Sequence, residues 1–222
     1  MRLRHITGSE DFVADSPYVV HRSERYRGVW NRELFPKPQP IHLEIGMGKG
    51  QFITQLAVLH PERNYVGIER YDTVLMKALR KRESAEAAGC CLENLRYLSL
   101  DARLLPEHFA ENEVSKLYLN FSDPWPKARQ ANRRLTSQVF LDCYTKFLRK
   151  DGTLEFKTDN TGLFDYSLES IPAAGWTLLA VSRDLHRDPV LNEGNVMTEY
   201  EEKFSAKGHP ICKLIAAPPA GL

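Results

Sequence analysis

Four acids recur at one kind of position. Glu44 sits near the end of the apolar run Ile41-His42-Leu43-Glu44-Ile45. Glu69 closes Asn64-Tyr65-Val66-Gly67-Ile68, Asp101 follows Leu95 to Leu100, and Asp123 follows Leu117 to Phe121. Short apolar runs bounded by turn residues read as buried strands. An acid at a strand end is delivered to an edge of the sheet, where an ionised carboxylate can only accept hydrogen bonds or attract a cation. One such acid could equally be a helix cap or a surface group. Four of them in register favour a bound ligand. Between the first two lies a glycine turn, Gly46-Met47-Gly48-Lys49-Gly50. Glycines there let the backbone approach a ligand and adopt positive φ.

The spacing narrows the ligand. The turn reads Glu-x-Gly-x-Gly-x-Gly, not the Gly-x-Gly-x-x-Gly that aims a helix N-terminus at a pyrophosphate. Glu44 would repel a pyrophosphate and attract a cation. S-adenosylmethionine carries an ammonium and a sulfonium and no phosphate. Glu69, 19 residues beyond Gly50, is placed to accept both hydroxyls of an adenosine ribose. Asp101 is placed to reach the adenine amino group.

A second chemistry lies in Asn120 to Leu135. After Asp123 the chain runs Pro124-Trp125-Pro126, then places Lys127, Arg129, Arg133 and Arg134 within eight positions without an acid. The whole chain has a net charge of only +1, so a nucleic-acid partner must be met by a local patch. Residues 124–150 hold seven cations against Asp142, a net of +6. The arginines suit phosphate contact more than base reading. Trp125 can stack on an unpaired base, worth about 1–3 kcal/mol, or pack under its own loop.

These groups need a frame. Strands alternating with helices predict a doubly wound, mostly parallel α/β sheet of seven strands. Helices are expected over Gln51–Leu59, Asp72–Ala88 with Asp72 as N-cap and Gly89 as stop, Leu104–Phe109, Ser137–Leu148 and Leu163–Ile171. The last two strands, Trp176–Val181 and Glu201–Phe204, predict an antiparallel hairpin at one edge. The Arg-rich residues 1–35 read as a partly mobile arm, 36–215 as the core domain, and Ala216–Leu222 as a disordered tail. Cys90, Cys91, Cys143 and Cys212 lack metal or redox spacing, so reduced thiols and no metal are expected. No signal peptide or membrane run is apparent, which predicts a soluble, cytoplasmic protein.

Five blocks resemble one known family. They are Leu43 to Phe52, Gly67-Ile68-Glu69, Leu119 to Lys127, Phe156 to Asn160 and Met197 to Phe204. Together they are similar to the bacterial tRNA (guanine-N7-)-methyltransferases, over nearly the whole chain. The resemblance implies a class I (Rossmann-like) methyltransferase fold, S-adenosylmethionine as donor and N7 of guanosine 46 in the tRNA variable loop as acceptor. It implies donor contacts at Glu44, Gly46, Gly48, Glu69, Asp101, Asn120 and Asp123, with Asp123 also catalytic. It puts Lys127, Asp159, Thr198, Glu199, Tyr200 and Glu201 at the substrate and Arg129, Arg133 and Arg134 on the RNA. A monomer or homodimer is expected. The chain departs from the family at Gln130 and Asn132, where many members carry His and Lys, which bears on RNA affinity rather than on chemistry.

Guanine N7 has a lone pair and no proton, so no general base is required. That agrees with the lack of an obvious catalytic His or Cys beside the core motif. Three other readings fit less well. An exocyclic amino-methyltransferase would carry an Asn-, Asp- or Ser-Pro-Pro-aromatic motif, which Asp123-Pro124-Trp125-Pro126 permutes. A nicotinamide dehydrogenase conflicts with Glu44 and the glycine spacing. A non-catalytic RNA-binding module would leave no activity for Asp123→Ala to remove.

Overall fold

The computed structural model describes residues 6–220. Arg2 and Arg4 of the expected arm, and the last two residues of the expected tail, lie outside them. The chain forms two compact units, Met1–Phe109 and Ala110–Leu222. The expected arm and the start of the expected core domain both fall in the first.

The first unit holds α1 (Ser9–Ala14), α2 (Trp30–Glu33), β1 (Ile41–Ile45), α3 (Gln51–Leu59), β2 (Asn64–Glu69), α4 (Asp72–Ala87), β3 (Leu95–Ser99) and α5 (Leu105–His108). β1 pairs with β2, and β2 with β3, both parallel. β1 and β2 are buried along their whole length, as befits strands of a parallel sheet covered on both faces. Phe52, Ile53, Leu56 and Ala57 of α3 and Leu75, Leu79 and Arg82 of α4 are buried at helical spacing. Gly50 precedes α3 at φ 72°, and a Cβ there would stand 3.0 Å from the Ala78 Cβ on α4. Tyr71, not Asp72, occupies the cap position of α4. The Asp72 carboxylate instead accepts the Ser99 hydroxyl at 2.7 Å.

Residues 6–35 are packed rather than loose. Tyr18 and Val20 exchange backbone hydrogen bonds with Tyr97, so this segment covers the free edge of β3. Trp30 is fully buried, stacks on Phe109 at 4.6 Å and donates its indole N–H to the His108 carbonyl. The Tyr18 ring lies 3.8 Å from the buried Arg82 guanidinium. Arg82 in turn bonds the Leu92 and Leu95 carbonyls and Glu86.

The second unit holds β4 (Val114–Asn120), α6 (Gln138–Tyr144), β5 (Leu148–Thr158), α7 (Thr161–Ala173), β6 (Thr177–Ser182), α8 (Glu199–Ser205) and β7 (Cys212–Ala217). β4 and β5 are parallel, and β7 runs antiparallel to both β5 and β6. The seven strands follow the order β3-β2-β1-β4-β5-β7-β6, a mostly parallel sheet with an antiparallel edge hairpin, as expected.

One element of that hairpin differs from the expectation. Glu201–Phe204 is helix, and the last strand is Cys212–Ala217, which includes part of the expected disordered tail. The physical reason is local. Thr198 caps α8 by accepting the Glu201 N–H at 2.9 Å, and three acids fill the first turn, where the helix dipole favours them. Tyr200 and Phe204, four apart, stack at 4.1 Å.

Candidate active site

In the first unit, the carboxyl ends of β1, β2 and β3 carry the expected donor residues. Glu44 is buried, 1% exposed, opposite Gly67. Gly46 and Gly48 take φ 73° and 59°, and the Gly46 N–H donates to the Ile68 carbonyl. A Cβ at either glycine would meet nothing within 4 Å, so the turn is open on that side. Gly67 carries no side chain because Met47 needs the space: a Cβ there would overlap the Met47 sulfur. The Glu69 carboxylate accepts the N–H of Gly48 at 3.2 Å and of Tyr71 at 3.1 Å. It thereby ties the glycine turn to the end of β2. Burial raises the Glu69 carboxyl above the ordinary glutamate range, against the pull of these N–H groups and Arg70.

Asp101 has a local job as well. Both its oxygens are taken by the Arg103 guanidinium, at 2.9 and 2.8 Å, and one also accepts the Arg103 N–H. It caps the short turn Ala102–Leu104. The bonds from the Arg103 side chain hold its carboxyl down at about 2, so it stays ionised.

In the second unit, Asn120 ends β4, and Phe121 leaves the strand at φ 51°. Asp123 is exposed, and among the described residues no hydrogen bond or ion pair engages its carboxylate. Trp125 sits at φ 41°, a conformation that costs energy for a bulky residue and persists where the surroundings hold it. Arg134 is what holds it. Its guanidinium donates to the carbonyls of Pro124 at 3.1 Å and Trp125 at 3.0 Å, while lying over the Tyr166 ring. Arg133 lies over the Trp125 ring at 4.9 Å. Arg134, expected on RNA, is thus spent largely on the loop. Lys127 and Arg129 are exposed at the start of the turn Ala128–Arg133.

The block Thr198–Glu201 divides by task. Thr198 is the α8 cap. Tyr200 is 41% exposed, donates its hydroxyl to Asp159 at 3.4 Å and packs on Phe121 at 4.9 Å. Asn160, beside Asp159, caps α7 through the Leu163 N–H. Glu199 is half-buried. Glu201, expected to meet the substrate, is fully buried. One oxygen pairs with the Lys157 ammonium at 2.6 Å and the other accepts from Asn195. Lys157 is also fully buried and bonds Asn195 and the Val196 carbonyl besides. Burial pushes its ammonium down, against the attraction of Glu201. Leu154-Glu155-Phe156-Lys157-Thr158 alternates apolar and polar residues, which gives no sign that the Lys157 side of the strand is buried as well. His186 is half-buried, with Nε2 3.3 Å from Glu201.

The +6 stretch is not one patch. β4 and β5 are parallel, with Val114 opposite Leu148 and Asn120 opposite Lys157. Arg149 and Lys150 therefore lie at the amino ends of these strands, and Lys127 to Arg134 follow the carboxyl end of β4.

Comparison with known proteins places this arrangement. A family model described as "Putative methyltransferase" matches residues 38–214. The solved structure of an antibiotic-related methyltransferase superposes with a TM-score of 0.63 at 16% identity, covering 90% of this chain and 95% of that one. With the strand order above, this is a class I methyltransferase fold. The tRNA (guanine-N(7)-)-methyltransferase of Lachnoclostridium phytofermentans is 53% identical over 216 residues, 97% of this chain and 98% of that protein. That of Geobacillus thermodenitrificans is 49% identical over 220 residues, 99% and 98% of the two chains. The chain belongs to the tRNA (guanine-N7-)-methyltransferase family. Membership implies S-adenosylmethionine as co-substrate. The open glycine turn, the buried acceptor Glu69 and the absence of any phosphate-type glycine pattern fit that group.

Proposed function

We propose that the chain transfers the methyl group of S-adenosylmethionine to N7 of guanosine in tRNA, at position 46 of the variable loop, giving 7-methylguanosine. The observation that carries the reading is Asp123: an exposed, unengaged carboxylate on a loop clamped by Arg134. The reading assigns the donor to Glu44, Gly46, Gly48, Glu69, Asp101, Asn120 and Asp123. The donor supplies an electrophilic methyl group on a sulfonium. Asp123 accepts the guanine N1–H and amino N–H, orients N7 and favours the positive charge that the purine gains. Orientation alone supplies several kcal/mol of the barrier, on the order of the gain for intramolecular reactions. Asp159, Thr198, Glu199 and Tyr200 serve the acceptor side. Glu201 acts through Lys157 by fixing α8. Lys127, Arg129 and Arg133 meet RNA phosphates. The partner is tRNA and the compartment the cytoplasm, with the chain acting as monomer or homodimer. Among the described residues no helix is long and apolar enough to cross a membrane.

Replacement of guanosine by 7-deazaguanosine in the RNA tests the atom. Methyl transfer is expected to vanish; continued transfer would point to an exocyclic nitrogen.

Glu69 makes donor binding pH-dependent. Its folded value is raised, so its protonation favours the donor-free fold. That contribution is present below the unfolded carboxyl value and lost as pH rises through the folded one. The ribose hydroxyls need the ionised acceptor, so donor affinity runs the other way. Calorimetry is expected to show weaker binding as pH falls, beginning above the ordinary glutamate range. Glu69→Gln is expected to bind more weakly at neutral pH and to flatten the profile.

A further inference from the structure

Beyond Tyr200 the chain builds a cationic platform that the methyl-transfer reading does not use. Residues 203–209 contain Lys203, Lys207 and His209 and no acid. They gather around one ring. The Lys203 and Lys207 ammonium groups lie 5.7 and 5.4 Å from the centre of Phe204, and the His209 ring meets it edge-on at 5.7 Å. The return turn is bonded in place. The Gly208 N–H donates to the Ser205 carbonyl at 2.8 Å, the His209 N–H to the Phe204 carbonyl at 3.2 Å, and Gly208 takes φ 80°. Lys203, Lys207 and His209 are exposed. Phe204 stacks on Tyr200, which contacts both Asp159 and Phe121. Of the three acids in the first turn of α8, Glu201 is buried and paired with Lys157, and Glu199 and Glu202 lie on the turn before Lys203, so the cationic part of the surface is the stretch from Lys203 to His209.

From this geometry we infer that Lys203, Lys207 and His209 form a second RNA-contacting surface. It holds tRNA phosphates continuous with the segment whose guanosine approaches Tyr200 and Asp159. The inference rests on the proposed tRNA reaction. Positive groups beside exposed aromatic rings are the usual footing for RNA backbone with unstacked bases, and each phosphate neutralised adds to the salt dependence of binding.

The test is the double variant Lys203→Gln with Lys207→Gln, compared with Lys146→Gln and Lys150→Gln, two exposed lysines away from this surface. Unmodified tRNA binding is measured by anisotropy across a salt series, together with methyl-transfer kinetics. The first pair is expected to raise the tRNA Kd and KM about tenfold and to reduce the salt slope by about 1–2. Saturating kcat and donor Kd are expected to stay unchanged, and the second pair to behave as the parent. Equal loss in both pairs, or no change in the first while the parent methylates tRNA, would overturn the inference. A parent that neither binds nor methylates tRNA defeats the proposed function itself, and the inference with it.

Discussion

Asp123→Ala is expected to lower kcat/KM for methyl transfer to tRNA by about 10²–10³, the scale of removing one preorganised polar group from a transition state. Thermal unfolding is expected to stay put, because Asp123 is exposed and braces nothing among the described residues. The loop conformation is expected to persist too, since Arg134 holds it through backbone carbonyls that the substitution leaves intact. A fall in kcat with tRNA KM little altered would assign Asp123 to the transition state. A variant retaining more than a third of parental activity would remove Asp123 from the chemistry. The Asn variant sharpens the point. It keeps the shape but turns one acceptor into a donor facing the guanine N–H groups, so its loss should approach that of Ala.

The second large effect is on stability. Lys157→Ala or Glu201→Ala leaves the other charge buried without its counter-ion. Loss of one partner of such a pair costs roughly 3–5 kcal/mol, a large share of the roughly 5–15 kcal/mol that holds a domain. Urea unfolding of each single variant is expected to show that loss. The combined Lys157→Met and Glu201→Leu variant should recover part of it, because no ion is then stranded. A single variant within 1 kcal/mol of the parent would mean that water reaches the pair. A double variant no more stable than the singles would mean that Asn195 and the Val196 carbonyl, now unpaired, dominate. The functional consequence runs through α8. Tyr200 and the Thr198 cap flank Glu201, so loosening it should raise the tRNA KM before it lowers donor affinity.

A third element, the Lys116–Glu155–Lys213 trio, shows the same economy of charge inside the sheet. Glu155 lies 2.8 Å from the Lys116 ammonium and 3.0 Å from that of Lys213. Burial alone would raise its carboxyl, but the two lysines outweigh burial and hold it below the ordinary range. Sequence reasoning had no way to match these partners, which come from three strands.

That contrast marks what was legible in the chain. β1, β2 and α3 could be bounded to within a residue, because Gly46 and Pro61 close β1 and α3 and the short apolar run of β2 stops at Glu69. The acids at the strand ends could be picked out because strand ends are local features. α8 differs from the expected strand because Glu201-Glu202-Lys203-Phe204 has no apolar stripe of its own; its warrant is the Thr198 cap three residues ahead of Glu201, a capping signal. β7 was missed for a different reason. Ala216 and Ala217 have weak strand preference, and their place depends on pairing with Leu154 and with Leu178 and Thr177 far back in the chain. The partners of the site residues were not legible wherever a partner is distant or a near neighbour competes. Lys157 and Glu201 are 44 residues apart. Arg134 finds carbonyls nine and ten residues back. Asp101 and Arg103 are adjacent enough to pair, but only the folded turn shows that they do.

The most direct measurement is transfer of a labelled methyl group from S-adenosylmethionine to bulk tRNA lacking the modification, with digestion and mapping of the labelled nucleoside. The expected product is 7-methylguanosine, confined to position 46 of the variable loop and absent with Asp123→Ala. Label in any other nucleoside, or none transferred by folded protein that binds both tRNA and donor, would contradict the assignment.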